Sequence, residues 1–168
     1  MGARVTLRDA TETDLPAILA IYNNEVLTGV ATFDLEPRTL EQQRSWLYEH
    51  GAPHCAIVAV DRAGEVVAYA SLSRFRPRPA YRFTVEDTVY VRPDRQRQGI
   101  GRALLENLIL RARQAGFHTM LGLVTADNVA SIELHRACGF VETGRDRELG
   151  HKFGRWLDII TMQRFLDR

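Results

Sequence analysis

The feature that most restricts the fold is the passage from "TVEDTVYV" through "RPDRQRQGIGR" to "ALLENLILRARQAG". A β-branched, strand-like run enters an arginine-rich stretch. Two glycines one residue apart, Gly99 and Gly101, then open an amphipathic segment. In that segment Leu104, Leu105, Leu108, Ile109 and Ala112 make one helical face, and Gly116 closes it. Glycines between a strand and a helix let the backbone come close to something anionic. Small residues there also let successive N–H groups point outward at the helix N-terminus, where the dipole favours negative charge. The plainer alternative is a glycine-softened turn flanked by solvated arginines.

The rest of the chain fits around this unit. Arg4 to Arg8 alternates like a short strand, and "TETDLPAILAIYNNEV" carries a helical stripe with Asp14 and Pro16 in its first turn. Thr39 and Gln42 have capping-box spacing ahead of a second helix that ends at Gly51. "CAIVAV" and "VVAYASL" flank the turn "DRAGE" as a hairpin. After the glycine unit come a strand "HTMLGLVT", a helix "NVASIELHRACG" and a final strand "WLDIITMQ". The order is β-α-α-β-β-β-α-β-α-β-β, with the limits of the penultimate strand unmarked by any pattern. That order predicts one α/β domain over residues 1–168 with a mixed sheet.

Two phosphate-binding signatures fail. A Walker loop needs Gly-Lys, and no such pair occurs. A dinucleotide fingerprint needs a third glycine where Leu104 stands, and the following strand has no ribose-binding acid. The net charge of +1 gives no general attraction to nucleic acid or membrane, so any bound anion must be caught locally. His50, His54, His118 and His151 lack metal-ligand spacing, so no metal is expected. Cys55 and Cys138 form no C-x-x-C, and the first ten residues have no apolar core of signal-peptide length. The expectation is a cytoplasmic protein with reduced thiols.

The Q-x-x-G-x-G of Gln96 to Gly101 after "VYV" resembles the acetyl-CoA motif of the GNAT superfamily of N-acetyltransferases. A second block of that family, N-x-x-S-x-x-L-[YH]-x-x-x-G-F, is matched by Asn128, Ser131, Leu134, His135, Gly139 and Phe140. "ATFDLEPRT", "YRFTVEDTVYV", "LHRACGF" and "KFGRWLDI" are similar to the branch of phosphinothricin and methionine sulfone or sulfoximine acetyltransferases. The resemblance implies a mostly antiparallel, twisted sheet flanked by helices, and a homodimer. It also implies acetyl-CoA as co-substrate, with the amides of Arg97, Gln98, Gly99, Ile100, Gly101 and Arg102 on its pyrophosphate. Val89, Tyr90 and Val91 would pair with its pantetheine arm, and Asn128 would bond that arm, cap its helix, or both.

The acceptor implied is the α-amine of a small amino acid, and resistance to compounds of the phosphinothricin type would follow. Acetyl transfer needs a neutral nitrogen, so a base helps. Glu86 is the base implied by the resemblance. On regular alternation it shares a face with Tyr90, and a carboxylate in such a strand is costly unless used or solvated. A bulge at this strand, frequent in the family, would change that alternation.

His135 stands where many relatives carry the tyrosine that protonates the departing thiolate. It either has that role or is a hydrogen-bonded helix residue near Cys138. The substrate pocket of the branch falls on Arg76, Pro77, Arg78, Glu86, Asp87 and Thr88. Arginine forks suit a carboxylate or phosphinate. Phe33 and the segment Lys152 to Trp156 are read as an apolar wall. The rival readings are acetylation of a polyamine, an aminoglycoside or a protein N-terminus, and a non-catalytic acyl-CoA-binding module that has no need of Glu86.

Overall fold

The structure is a computed structural model and describes residues 5–166. Seven strands form one sheet: β1 (Thr6–Asp9), β2 (Cys55–Val60), β3 (Val66–Arg74), β4 (Thr84–Val91), β5 (Thr119–Thr125), β6 (Val141–Lys152) and β7 (Arg155–Phe165). Their order across the sheet is β1-β2-β3-β4-β5-β7-β6, and every neighbouring pair is antiparallel except β4 with β5. The helices are α1 (Leu15–Thr28), α2 (Leu40–Glu49), α3 (Ile100–Gln114) and α4 (Val129–Ala137). The first strand begins at Thr6; Arg4, where the sequence pattern starts it, lies outside the described residues.

Local chemistry sets the element ends. Thr39 Oγ1 accepts from the Gln42 amide at 3.2 Å while the Gln42 side chain accepts from the Thr39 amide at 2.8 Å, so the capping box starts α2 as expected. Pro16 stands in the first turn of α1, where its missing N–H costs nothing. The Asp61 carboxylate accepts from the amides of Ala63 and Glu65 and closes the β2–β3 hairpin.

Burial then fixes the layers. On one face α3 packs Leu104, Leu105 and Leu108 against Ile57, Ala70 and Leu72 of β2 and β3, with Met120 of β5 and Met162 of β7. On the other face Ile18, Ile21, Tyr22 and Val26 of α1 meet Val58 and Tyr69.

The position of the site follows from β4. Its pairing with β3 runs from Arg74↔Val85 to Ala68↔Val91 without a register shift, so no bulge interrupts the alternation. Glu86, Thr88 and Tyr90 therefore share the α1/α2 face, as the sequence predicts, and Val85, Asp87, Val89 and Val91 share the other. Pairing with β5 is brief, from Thr84↔Thr119 to Glu86↔Leu121. Beyond Glu86 and Leu121 the two strands part.

Candidate active site

The parting of β4 and β5 opens a cleft of about 690 Å³. Glu86 to Val91 line one side and Gly122 to Thr125 the other. The loop before α3 and the first turn of α3 form one end, and α4 contributes Asn128, Ser131, Leu134 and His135. Ala31, Thr32 and Phe33, between α1 and α2, cover it together with Leu149.

At the α3 end the backbone is shaped for an anion. Gly99 is left-handed at φ 81°, and so is Arg97 at φ 59°, although Arg97 carries a side chain that disfavours it. Left-handed residues two apart turn successive amides inward, and the N-terminus of α3 adds its dipole. A Cβ placed on Gly101 would touch Leu134, Val91 and Val89 at 3.4–3.9 Å, which is ordinary contact. The protein's own packing therefore does not require glycine there. Its absence of a side chain leaves bare backbone in the cleft wall, where a phosphate oxygen can approach. Of the predicted loop residues, Arg97, Gly99, Ile100, Gly101 and Arg102 line the cleft. Gln98 does not; its side-chain amide donates to the Asp94 carbonyl at 3.4 Å.

At the point where the ladder ends, a histidine fills the gap. His135 Nε2 lies 3.0 Å from Asp87 Oδ1, and Nδ1 lies 2.7 Å from the Ser131 carbonyl. A carbonyl can only accept, so Nδ1 carries a proton; a bond to the Asp87 carboxylate then calls for a proton on Nε2 as well. Burial opposes this charge most strongly, but the bond to Asp87, its negative charge and the Ser131 carbonyl outweigh it, so the pKa lies above the usual histidine value. A Cβ on Gly122 would overlap Nε2, so this glycine in an apolar strand is what admits the ring. The imidazolium is thus wedged between the first unpaired positions of β4 and β5. Asp87 Oδ2 is buried without a hydrogen-bond partner among the described residues.

Glu86 also lines the cleft. No donor or cation among the described residues reaches its carboxyl group. Burial, then the neighbouring Asp87 charge, push its pKa from 4.5 to about 7. A carboxyl held there is half ionised near neutral pH, which suits a general base. Asn128 does cap α4, its Oδ1 accepting from the Ser131 amide at 3.1 Å, and it lines the cleft too.

The covering loop is fastened from two sides. Tyr22 donates to Asp34 Oδ2 at 2.5 Å, and Arg38 donates to the Tyr22 hydroxyl at 2.9 Å. Lys152 Nζ, almost fully buried, donates to the Thr32 carbonyl at 2.9 Å, while Phe33 lies over Gly150. Burial lowers the Lys152 pKa despite the charges of Glu25 and Asp34. The expected apolar wall from Lys152 to Trp156 takes a different form. Lys152 is a buried tether, whereas Phe153 and Trp156 are 56% and 62% exposed and outside the cleft lining.

The predicted acceptor residues divide in the same way. Phe33, Glu86, Asp87 and Thr88 line the cleft. Arg76, Pro77 and Arg78 lie on the exposed β3–β4 connection outside that lining, the Arg76 guanidinium 5.0 Å from the Phe75 ring centre. Arg74 braces the connection by donating to the carbonyls of Arg76 and Pro77.

Comparison with known proteins agrees with this geometry. Residues 15–140 match the model of the acetyltransferase (GNAT) family. An L-methionine sulfoximine/L-methionine sulfone acetyltransferase of Pseudomonas paraeruginosa is 45% identical over 165 residues, covering 96% of this chain and 95% of its own. A phosphinothricin N-acetyltransferase of Alcaligenes faecalis is 42% identical over 166 residues, covering 96% and 83%. The crystal structure of a GNAT superfamily phosphinothricin acetyltransferase from Sinorhizobium meliloti in complex with AcCoA superposes with a TM-score of 0.92 at 42% identity, covering 96% and 88%.

Proposed function

Because the chain belongs to the acetyltransferase (GNAT) family, we propose that it transfers the acetyl group of acetyl-CoA to the α-amine of a small amino acid or analogue, of the phosphinothricin, methionine sulfone or methionine sulfoximine type. The observation that carries the reading is Glu86, a half-buried carboxyl with no donor among the described residues, in a cleft whose other end is a backbone anion cradle. A non-catalytic binding module would have use for the cradle but none for this carboxyl.

Acetyl-CoA supplies the activated acetyl thioester. The amides of Arg97 to Arg102 hold its pyrophosphate, and Val89 to Val91, beyond the last pairing with β5, border its pantetheine arm, with Asn128 opposite. Glu86 takes a proton from the acceptor's ammonium group, directly or through water, so that the nitrogen can attack the carbonyl carbon in a ternary complex. His135 holds the proton that the departing thiolate takes as the carbon–sulfur bond breaks. The amine's second proton passes to water as the amide forms, Glu86 releases its proton to solvent, and solvent reprotonates the imidazole.

Phe33, Asp87 and Thr88 border the acceptor. Arg76 and Arg78 take its carboxylate beside Pro77; no carboxylate among the described residues pairs with Arg76. The same reading makes the protein a cytoplasmic homodimer. Two free thiols and the exposed Leu149, Phe153 and Trp156 support it. Among the described residues no helix is long and apolar enough to cross a membrane.

The test is a thiol-release screen of amino acids and their sulfone, sulfoximine and phosphinate analogues with acetyl-CoA, the products checked by mass for N-acetylation. Tight acetyl-CoA binding without thiol release from any amine would overturn the reading in favour of the binding module.

A further inference from the structure

A second cavity of about 660 Å³ lies on the α1/α2 face of the sheet. It shares Thr88 and Tyr90 with the cleft, so the two meet across β4. Ser73, on its wall, stands opposite Glu86 in the β3–β4 register, which puts the Glu86 side chain on the same face as the cavity. The aromatic part of the wall is a connected set. Tyr69 stacks on Tyr90 at 5.3 Å between ring centres and meets Trp46 edge-on at 5.7 Å.

The polar groups are unevenly satisfied. His50 Nδ1 donates to the Trp46 carbonyl at 2.6 Å, so Nε2 of the neutral ring accepts from the Ser73 hydroxyl at 2.8 Å. Tyr69 differs. It is only 2% exposed, it lines the cavity, and its hydroxyl has no hydrogen-bond partner among the described residues. The ring is enclosed, and the hydroxyl is left open to the cavity. It is a donor directed at a space large enough to hold a side chain.

Resting on the acetyl-transfer reading, we propose that this chamber receives the side chain of the acceptor amino acid. Its methylene stem packs on the Trp46 and Tyr90 rings, and the Tyr69 hydroxyl donates to an oxo group at its far end, as on a sulfone, sulfoximine or phosphinate. The amine then lies at Glu86, at the junction of chamber and cleft. A wall that offers this donor favours an acceptor with the oxo group, because only that acceptor completes the hydrogen bond.

The experiment compares wild type with Tyr69→Phe, using methionine sulfone and methionine as acceptors. The expected result is a loss of about ten- to a hundredfold in kcat/KM for the sulfone, with methionine and the acetyl-CoA KM nearly unchanged. Because the selectivity is a ratio, general damage to the fold cancels. The hydroxyl has no protein partner to lose among the described residues, so the melting temperature of Tyr69→Phe should be nearly unchanged. Equal losses on both acceptors, no loss on either, or a variant that melts several degrees lower would overturn the assignment while leaving acetyl transfer standing. Absence of wild-type turnover with every amino acid would instead overturn the acetyl-transfer reading beneath it.

Discussion

Replacing Glu86 with Gln tests the central claim by two routes that do not depend on each other. Burial and the Asp87 charge hold the carboxyl near 7 instead of 4.5, so folding favours its protonated form. Its contribution to stability is therefore complete below pH 4.5 and is lost as the pH rises through 7. Above pH 8 the ionised group costs the fold on the order of 2–3 kcal/mol, after some allowance for screening by cleft water. Glutamine has the same shape and no charge. Glu86→Gln and wild type should melt together near pH 4, and the variant should melt roughly 4–12 °C higher above pH 8.

The same change should lower kcat by about 10²–10⁴-fold, the usual scale for a lost general base, without altering acetyl-CoA binding. Wild-type rate should rise through pH 7 toward a plateau; the residual rate of the variant should follow only the free-amine fraction of the acceptor. Differential scanning calorimetry across pH 4–8.5 and a thiol-release assay read the two effects. Superimposable melting curves at every pH would show that Glu86 is not desolvated, and full turnover at neutral pH would show that it is not the base.

Two glycine replacements separate cofactor approach from fold. Gly101→Ala should fold normally, since its Cβ would meet only ordinary contacts, yet raise the acetyl-CoA KM strongly; Gly99→Ala should also lose about 1–2 kcal/mol of stability because its φ of 81° is left-handed. Titration calorimetry with acetyl-CoA on both folded variants decides this, and unchanged affinity in Gly101→Ala removes the cradle assignment. Gly122→Ala should cost about 1–3 kcal/mol by overlapping the His135 ring, and most of that cost should disappear in the double variant with His135→Ala. Additive losses in urea titrations would mean that the ring is not what the glycine accommodates.

The parts of this architecture that rest on local chemistry are legible in the chain. The Thr39–Gln42 box, the Asp61 turn and the alternation of Glu86 with Tyr90 each involve groups a few residues apart, and each stands where the pattern puts it. Contacts across the fold are not legible in this way. Gly122 signals that something comes close to β5 but does not say that His135 does, and the partner of that histidine, Asp87, is 48 residues away.

Lys152 lies in a segment that reads as apolar. Its burial depends on the Thr32 carbonyl, 120 residues earlier in the chain. The arginines before β4 are dense in sequence, but composition alone does not say which of them faces a cavity. β6 could not be delimited at all, because "VETGRDRELGHK" is exposed along most of its length and its register shifts twice against β7.

That illegible strand bears on how the protein behaves at high concentration. An open sheet ends on two rows of unpaired peptide groups, each a template for another chain to add to. Here one end is β1, only four residues long. The other is β6, where Glu142, Arg145, Asp146, Arg147 and Glu148 crowd a strand broken between Glu142 and Gly144 and again between Asp146 and Gly150. A four-residue strand offers too few rungs to hold a stranger, and a charged, kinked one offers no straight run of them. The interruptions that hide β6 from pattern reading also keep these sheets from joining edge to edge into aggregates.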